Sequence, residues 1–168
     1  VSVPAFAMSK YKVTNREYLE FVRAGARPPH FWKWQDGQWY WRGMWQDVPL
    51  PLDWPVYVTH EEASAFAAWT GKRLPTEAQF HRAAYATVCG DEEQSYPWGE
   101  DQPDCRHGNF GGNRWDPMPV TATPLGDSAF GISQLVGNGW EWTSTVFSPF
   151  PGFAPMASYP EYSADFFD

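Results

Sequence analysis

The chain has 168 residues and a formal net charge of −8, and its eleven tryptophans stand among sixteen prolines and fourteen glycines. The length corresponds to one domain. Its twelve basic residues are scattered and exclude a nucleic-acid partner, because phosphate binding requires clustered cations. No apolar window of about eighteen residues and no signal-peptide pattern is present, so we expect a soluble protein without a membrane partner. With only two cysteines, Cys89 and Cys105, the reducing cytoplasm is the predicted location.

Three segments are predicted to be helices because each opens with a helix-start signal. Thr14 with Glu17, and Thr59 with Glu62, form capping boxes that satisfy free backbone donors at a helix start. Apolar side chains at helical spacing follow both boxes, and a glycine ends each segment. A proline–threonine pair opens the third segment. The first helix is predicted to follow Thr14 and end at Gly25, the second to span residues 61–70, and the third to start at Pro75-Thr76 and stop near Val88.

Between the first two helices, aromatic runs at residues 32–34 and 39–41 flank an Asp36-Gly37 turn and predict a β-hairpin. Beyond Pro97 the chain alternates short apolar runs with turn residues, and no long periodic segment is present. The predicted fold class is therefore α+β, with two or three helices, a small twisted antiparallel sheet and long ordered loops.

Residues 135–143, LVGNGWEWT, place Glu141 between two indoles shortly after two glycines. A carboxylate in such apolar surroundings needs a partner, which we expect to be a cation or a cluster of backbone N–H groups. This stretch, called the signature segment below, resembles the G-N-x-W-E-W-T motif of the formylglycine-generating-enzyme-like (sulfatase-modifying factor) domain. Further stretches at residues 11–18, 54–63 and 71–80 match the same family in the same order. The resemblance implies a C-type-lectin-like fold for a single domain over residues 1–168.

Within this family the chain is more similar to the ergothioneine-type sulfoxide synthases, on the strength of residues 29–32, 42–44 and 148–153. The resemblance implies an O₂-dependent, non-haem iron reaction that joins the sulfur of a cysteine-like thiol to a histidine derivative. It also implies that Fe(II) is supplied by an N-terminal helical domain or a partner chain, and that this chain is truncated at its C-terminus and inactive alone. None of the four histidines has the spacing of paired ligands, so no iron ligand is predicted in this chain.

Candidate site residues for the reaction fall into two groups. Tyr159 and Tyr162 are the candidate catalytic residues, because a phenol beside a metal centre donates a proton and the resemblance implies an active-site tyrosine in this region. Ordinary packing is the alternative for each tyrosine. Arg106, Arg114 and Asp116 are the candidate substrate-binding residues, because an arginine fork binds a carboxylate through two parallel hydrogen bonds.

A calcium site is a separate expectation. The resemblance to the sulfatase activators implies Ca²⁺ at the signature segment, held by carbonyl oxygens and a carboxylate, which are the ligands that a hard cation prefers. The alternative is that the carboxylate accepts backbone N–H bonds and no metal binds. The candidate calcium ligands are Gln134, Gly137, Gly139 and Glu141.

Other functions stay open beside the sulfoxide synthase. A selenium-using synthase of the selenoneine type would look similar in sequence. A formylglycine-generating, sulfatase-activating oxidase would need a cysteine pair in a C-terminal part beyond Asp168, because its copper chemistry uses thiol ligands. A non-enzymatic, lectin-like binding module is the third alternative, since a fold does not fix a function.

Overall fold

A computed structural model describes residues 2–89, 92–112, 114–159 and 167. Within these described residues the elements are three α-helices, one antiparallel sheet of three strands and a short 3₁₀ helix, which confirms the predicted α+β class. The lectin-like character of the fold stays a prediction. No helix in the described part of the chain is long and apolar enough to cross a membrane. The elements are α1 Asn15–Arg23, β1 Trp32–Gln35, β2 Gln38–Arg42, β3 Asp47–Pro49, α2 His60–Trp69, α3 Glu77–Tyr85 and the 3₁₀ helix Pro124–Gly126.

All three predicted helices are confirmed, and each begins with a capping box. The box that opens α3 pairs Thr76 with Gln79 and was missed in the sequence. Helix α3 ends at Tyr85 and not near Val88, because Ala86 is extended and forms an antiparallel bridge with Glu93. The pairing of Ala86 with the strand-like stretch that follows it therefore overrides the helical pattern at this point.

The predicted hairpin is confirmed, with Trp32 opposite Trp41 and Trp34 opposite Trp39. Its turn residues, Asp36 and Gly37, both have positive φ, as a two-residue hairpin turn of this kind requires. Strand β3 pairs with β2 and was not predicted, since its three residues carry no apolar alternation.

Two buried clusters hold these elements together. The first joins the sheet to α1 and α2, with Tyr18 stacked on Phe66 at a ring-centroid distance of 5.3 Å. The second joins α3 to the signature segment through Ala83, Ala84 and Leu135. The signature segment is thereby anchored to the third helix through Leu135.

Candidate functional site

The partner of Glu141 is the amine of Lys12, which contacts the Glu141 carboxylate as an ion pair. The side chain of Glu141 is 22% exposed and that of Lys12 is 12% exposed, so the pair is mostly shielded from water. Burial lowers the pKa of Lys12 to about 7. The cation that the sequence required at the signature segment is therefore a side chain from the motif at residues 11–18.

Asn138 connects the signature segment to the loop before it. Its side-chain amide donates to the carbonyl of Met118 and to Oε1 of Gln134, both at 2.9 Å, and its Oδ1 accepts the Met118 N–H at 2.9 Å. The residue is buried and has a φ of 79°, a left-handed conformation that asparagine tolerates better than most residues. Its carbonyl also accepts the Tyr57 hydroxyl at 3.2 Å, and burial raises the pKa of that phenol.

The residues after Glu141 bind the starts of two helices. The indole N–H of Trp142 donates to the carbonyl of Val58 at 2.9 Å, just before α2. The first N–H of α3, on Glu77, donates to the hydroxyl of Thr145 at 3.0 Å. The signature segment is thus held by contacts with several separate stretches of the chain.

A cavity of about 760 Å³ lies against this arrangement. Its wall is largely aromatic and aliphatic, and Lys12, Tyr57 and Glu141 contribute polar groups to it. Trp140 also lines the cavity and is fully exposed. Such a wall suits an organic ligand that combines an apolar body with a few polar groups.

The candidate calcium ligands are placed as follows. The Gln134 amide is buried and hydrogen-bonded to the carbonyl of Pro119 and to Asn138. Glu141 is engaged with Lys12, so a calcium ion there would have to share the carboxylate with an amine. The other two candidates lie against aromatic rings, Gly137 beside Phe110 and Gly139 beside Tyr57. The calcium site stays a prediction.

Among the described residues, no group of three or more histidine, cysteine, aspartate or glutamate side chains is placed to hold a metal ion. His60 lies at the start of α2 with Nε2 3.1 Å from the carbonyl of Thr143, and His81 lies 4.0 Å from Glu77 within α3. His107 is buried and stacks on Trp98 at 4.6 Å. These side chains therefore do not fit an iron centre by themselves.

Of the two candidate catalytic tyrosines, the structure describes Tyr159. The Tyr159 side chain is exposed, and its backbone N–H donates to the carbonyl of Met156 at 3.0 Å. Tyr162 lies outside the described residues. Their catalytic roles stay predictions.

The two arginines among the candidate substrate-binding residues have different partners. Arg106 forms two side-chain hydrogen bonds to Asp104, at 2.9 and 2.6 Å, which hold the pKa of that carboxyl at about 2. Arg114 instead lies over the ring of Trp54 and bonds to the main chain around Asp116. Arg106 is thus occupied by a carboxylate of the same loop, whereas Arg114 is not in an ion pair with Asp116.

Sequence reasoning missed three residues that build this region: Lys12, Tyr57 and Asn138. Each belongs to a stretch that resembles the family. Lys12 contacts Glu141 and Tyr57 contacts Asn138, and both contacts join positions far apart in the chain. A buried lysine needs an acidic partner, and Glu141 was the acidic residue in need of one. That complementarity was the available signal.

The chain is similar to a known domain family and to several known proteins. The model of the sulfatase-modifying factor enzyme 1-like domain matches residues 1–162. The hercynine oxygenase of Mycolicibacterium thermoresistibile is 38% identical over 189 residues, which cover 100% of this chain and 42% of that protein. The hercynine oxygenase of Mycobacterium tuberculosis is 38% identical, with 99% of this chain and 44% of that protein covered. The ergothioneine biosynthesis protein 1 of Schizosaccharomyces pombe is 30% identical, with 99% and 20% covered. The chain therefore spans less than half the length of these relatives.

Proposed function

Because the chain belongs to the family of sulfatase-modifying factor enzyme 1-like domains, we propose that it is part of an O₂-dependent, non-haem iron sulfoxide synthase. The proposed reaction joins a cysteine-like thiol to a histidine derivative, as in ergothioneine biosynthesis. The observation that carries the proposal is the match of the whole chain to two hercynine oxygenases. The proposed enzyme acts in the cytoplasm, which is also the location predicted from the sequence.

Fe(II) would supply the O₂ chemistry in this enzyme. The described residues do not form a cluster that fits the metal, so we assign its ligands to a helical domain or a partner chain and derive no step through it. This chain would contribute substrate-binding surface and a proton donor. In this proposal the Lys12–Glu141 pair and Asn138 keep the signature segment in place next to the cavity.

The proton donor in this proposal is Tyr159 or Tyr162. The aromatic tail that carries them follows the signature segment, and the Tyr159 side chain is exposed. A phenol positioned at the substrate is worth about 10²- to 10⁴-fold in rate when it transfers a proton in the rate-determining step. Tyr159→Phe or Tyr162→Phe should therefore lower sulfoxide formation, whereas Tyr40→Phe on the hairpin should not.

The test uses the iron-replete, full-length enzyme with trimethylhistidine, O₂ and a set of cysteine-like thiols, and mass spectrometry detects the sulfoxide. Wild-type rates and product ratios in both tyrosine variants would rule out the proton-donor role. Absence of a C–S product with every thiol, and of a C–Se product when a selenol replaces the thiol as for a selenoneine-type enzyme, would rule out the synthase.

A second candidate function is a sulfatase-activating oxidase. The formylglycine-generating enzyme of Mycobacterium tuberculosis is 29% identical over 89% of this chain and 66% of that protein. Incubating the same enzyme with copper, O₂ and a cysteine peptide tests this reading, since an aldehyde product would favour it. If the protein is folded and forms neither product, the lectin-like binding module is favoured.

A further inference from the structure

Arg114 is held on the protein surface by contacts that leave one edge of its guanidinium open. Its Nε donates to the carbonyls of Pro117 and Asp116, at 3.1 and 3.3 Å. Its central carbon lies 5.6 Å from the ring centroid of Trp54, a cation–π distance. In the described part of the chain, neither terminal nitrogen has a hydrogen-bond or ion-pair partner. The side chain is therefore oriented but not saturated.

The loop that carries Arg114 is itself fixed. The Asn109 amide donates to the carbonyl of Asp116 at 3.3 Å, and Met118 is bonded through both main-chain groups to Asn138. The turn after β2 packs closely on the same loop, since a Cβ built on Gly43 would lie 3.4 Å from Oδ1 of Asp116. Little conformational entropy remains to be lost when a ligand meets this guanidinium.

We propose that Arg114, supported by Trp54, is a binding site for the carboxylate of a small molecule. The two terminal nitrogens would donate parallel hydrogen bonds to the two carboxylate oxygens, the geometry in which arginine binds carboxylates best. Two exposed indoles, Trp45 and Trp115, lie on the two loops that abut at Gly43 and Asp116. The inference rests on the proposed function in one respect: amino-acid substrates such as a cysteine-like thiol and trimethylhistidine carry this carboxylate.

The nearby Arg106 provides the matched control. It is also an exposed arginine, but its guanidinium already forms two hydrogen bonds with the carboxylate of Asp104. A free carboxylate would have to displace the carboxylate of Asp104 from Arg106. Arg114→Gln should therefore remove the site, whereas Arg106→Gln should not.

The test is a titration of the full protein, labelled with ¹⁵N-arginine, with sodium benzoate and with benzamide. Benzoate combines a carboxylate with an aromatic body, and benzamide has the same shape without the charge. We expect benzoate to shift the Arg114 Nε–H resonance saturably, and benzamide to shift it little. For the variants, binding is followed on the benzoate proton signals, since Arg114→Gln lacks the Nε–H resonance. Arg114→Gln should weaken benzoate binding about ten- to a hundredfold, the effect of losing a charged hydrogen-bond pair, while Arg106→Gln should bind as the wild type does. Equal binding of benzoate and benzamide, or wild-type binding by Arg114→Gln, would overturn the proposal.

Steady-state kinetics then connects the site to the reaction. Arg114→Gln should raise KM for one of the two amino-acid substrates about tenfold or more with kcat unchanged, because the guanidinium binds substrate and transition state alike. Unchanged KM values for both substrates would overturn its role in substrate binding. If the wild-type protein forms no sulfoxide at all, the proposed function fails, while the benzoate titration still decides the carboxylate site.

Discussion

Replacing Asn138 with alanine should be among the most destabilising single changes in this chain. The substitution removes three side-chain hydrogen bonds of 2.9 Å, to the two main-chain groups of Met118 and to Gln134. Each is worth about 1 kcal/mol, with more where a buried partner is left unsatisfied. Alanine at a φ of 79° adds about 1–2 kcal/mol of backbone strain. The expected loss in unfolding free energy is thus about 4–5 kcal/mol.

Asn138→Gly separates the two contributions. Glycine adopts the same backbone conformation without strain, but it gives the unfolded chain about 0.4–1 kcal/mol of extra entropy. The glycine variant should therefore lose roughly 3–4 kcal/mol and lie within about 1 kcal/mol of the alanine variant. Urea unfolding followed by circular dichroism, with m-values compared, measures both. A glycine variant as stable as the wild type would refute the reasoning, because it would mean that the hydrogen bonds contribute nothing.

Two further predictions concern packing and pH. A Cβ at Gly126 would lie 2.0 Å from the carbonyl oxygen of His107, so Gly126→Ala should cost more than about 3 kcal/mol. The control Gly112→Ala has a positive φ but no atom within 4 Å, and it should cost only about 1 kcal/mol; equal melting temperatures for the two variants would contradict this. Burial lowers the pKa of Lys12 to about 7, so above pH 7 the unfolded chain keeps a proton that the folded chain releases, and stability should rise. From pH 7 to 9 the unfolding free energy should rise by at most about 1.4 kcal/mol per pH unit. Lys12→Met should abolish this rise. A wild-type unfolding free energy that is flat over this range would contradict the prediction.

The elements that could be predicted are those whose signals are local. The capping boxes at Thr14 and Thr59 and the Asp36-Gly37 turn lie within a few residues of what they control, and all three are confirmed. The end of α3 could not be predicted in this way, because Ala86 leaves the helix to pair with Glu93.

The site shows the same division between local and distant contacts. The flanking indoles showed that Glu141 needs a partner, either a cation or a cluster of backbone N–H groups. That the partner is Lys12 was not visible, since the two residues meet only through the folded chain. The pairing of Arg106 with Asp104, by contrast, spans two positions and could have been recognised. A substrate carboxylate at Arg106 would compete with Asp104, and the substrate-binding roles of Arg106, Arg114 and Asp116 stay predictions.

The exposure of Trp140 has a spectroscopic consequence. An indole surrounded by water emits at longer wavelength than one in an apolar environment, and Trp140 is fully exposed while lining the cavity beside Glu141. Anything that fills this cavity should therefore shift part of the fluorescence of the protein to the blue. The difference spectrum between the wild type and Trp140→Phe isolates that signal from the other ten tryptophans. The chain thus carries its own optical probe of cavity occupancy.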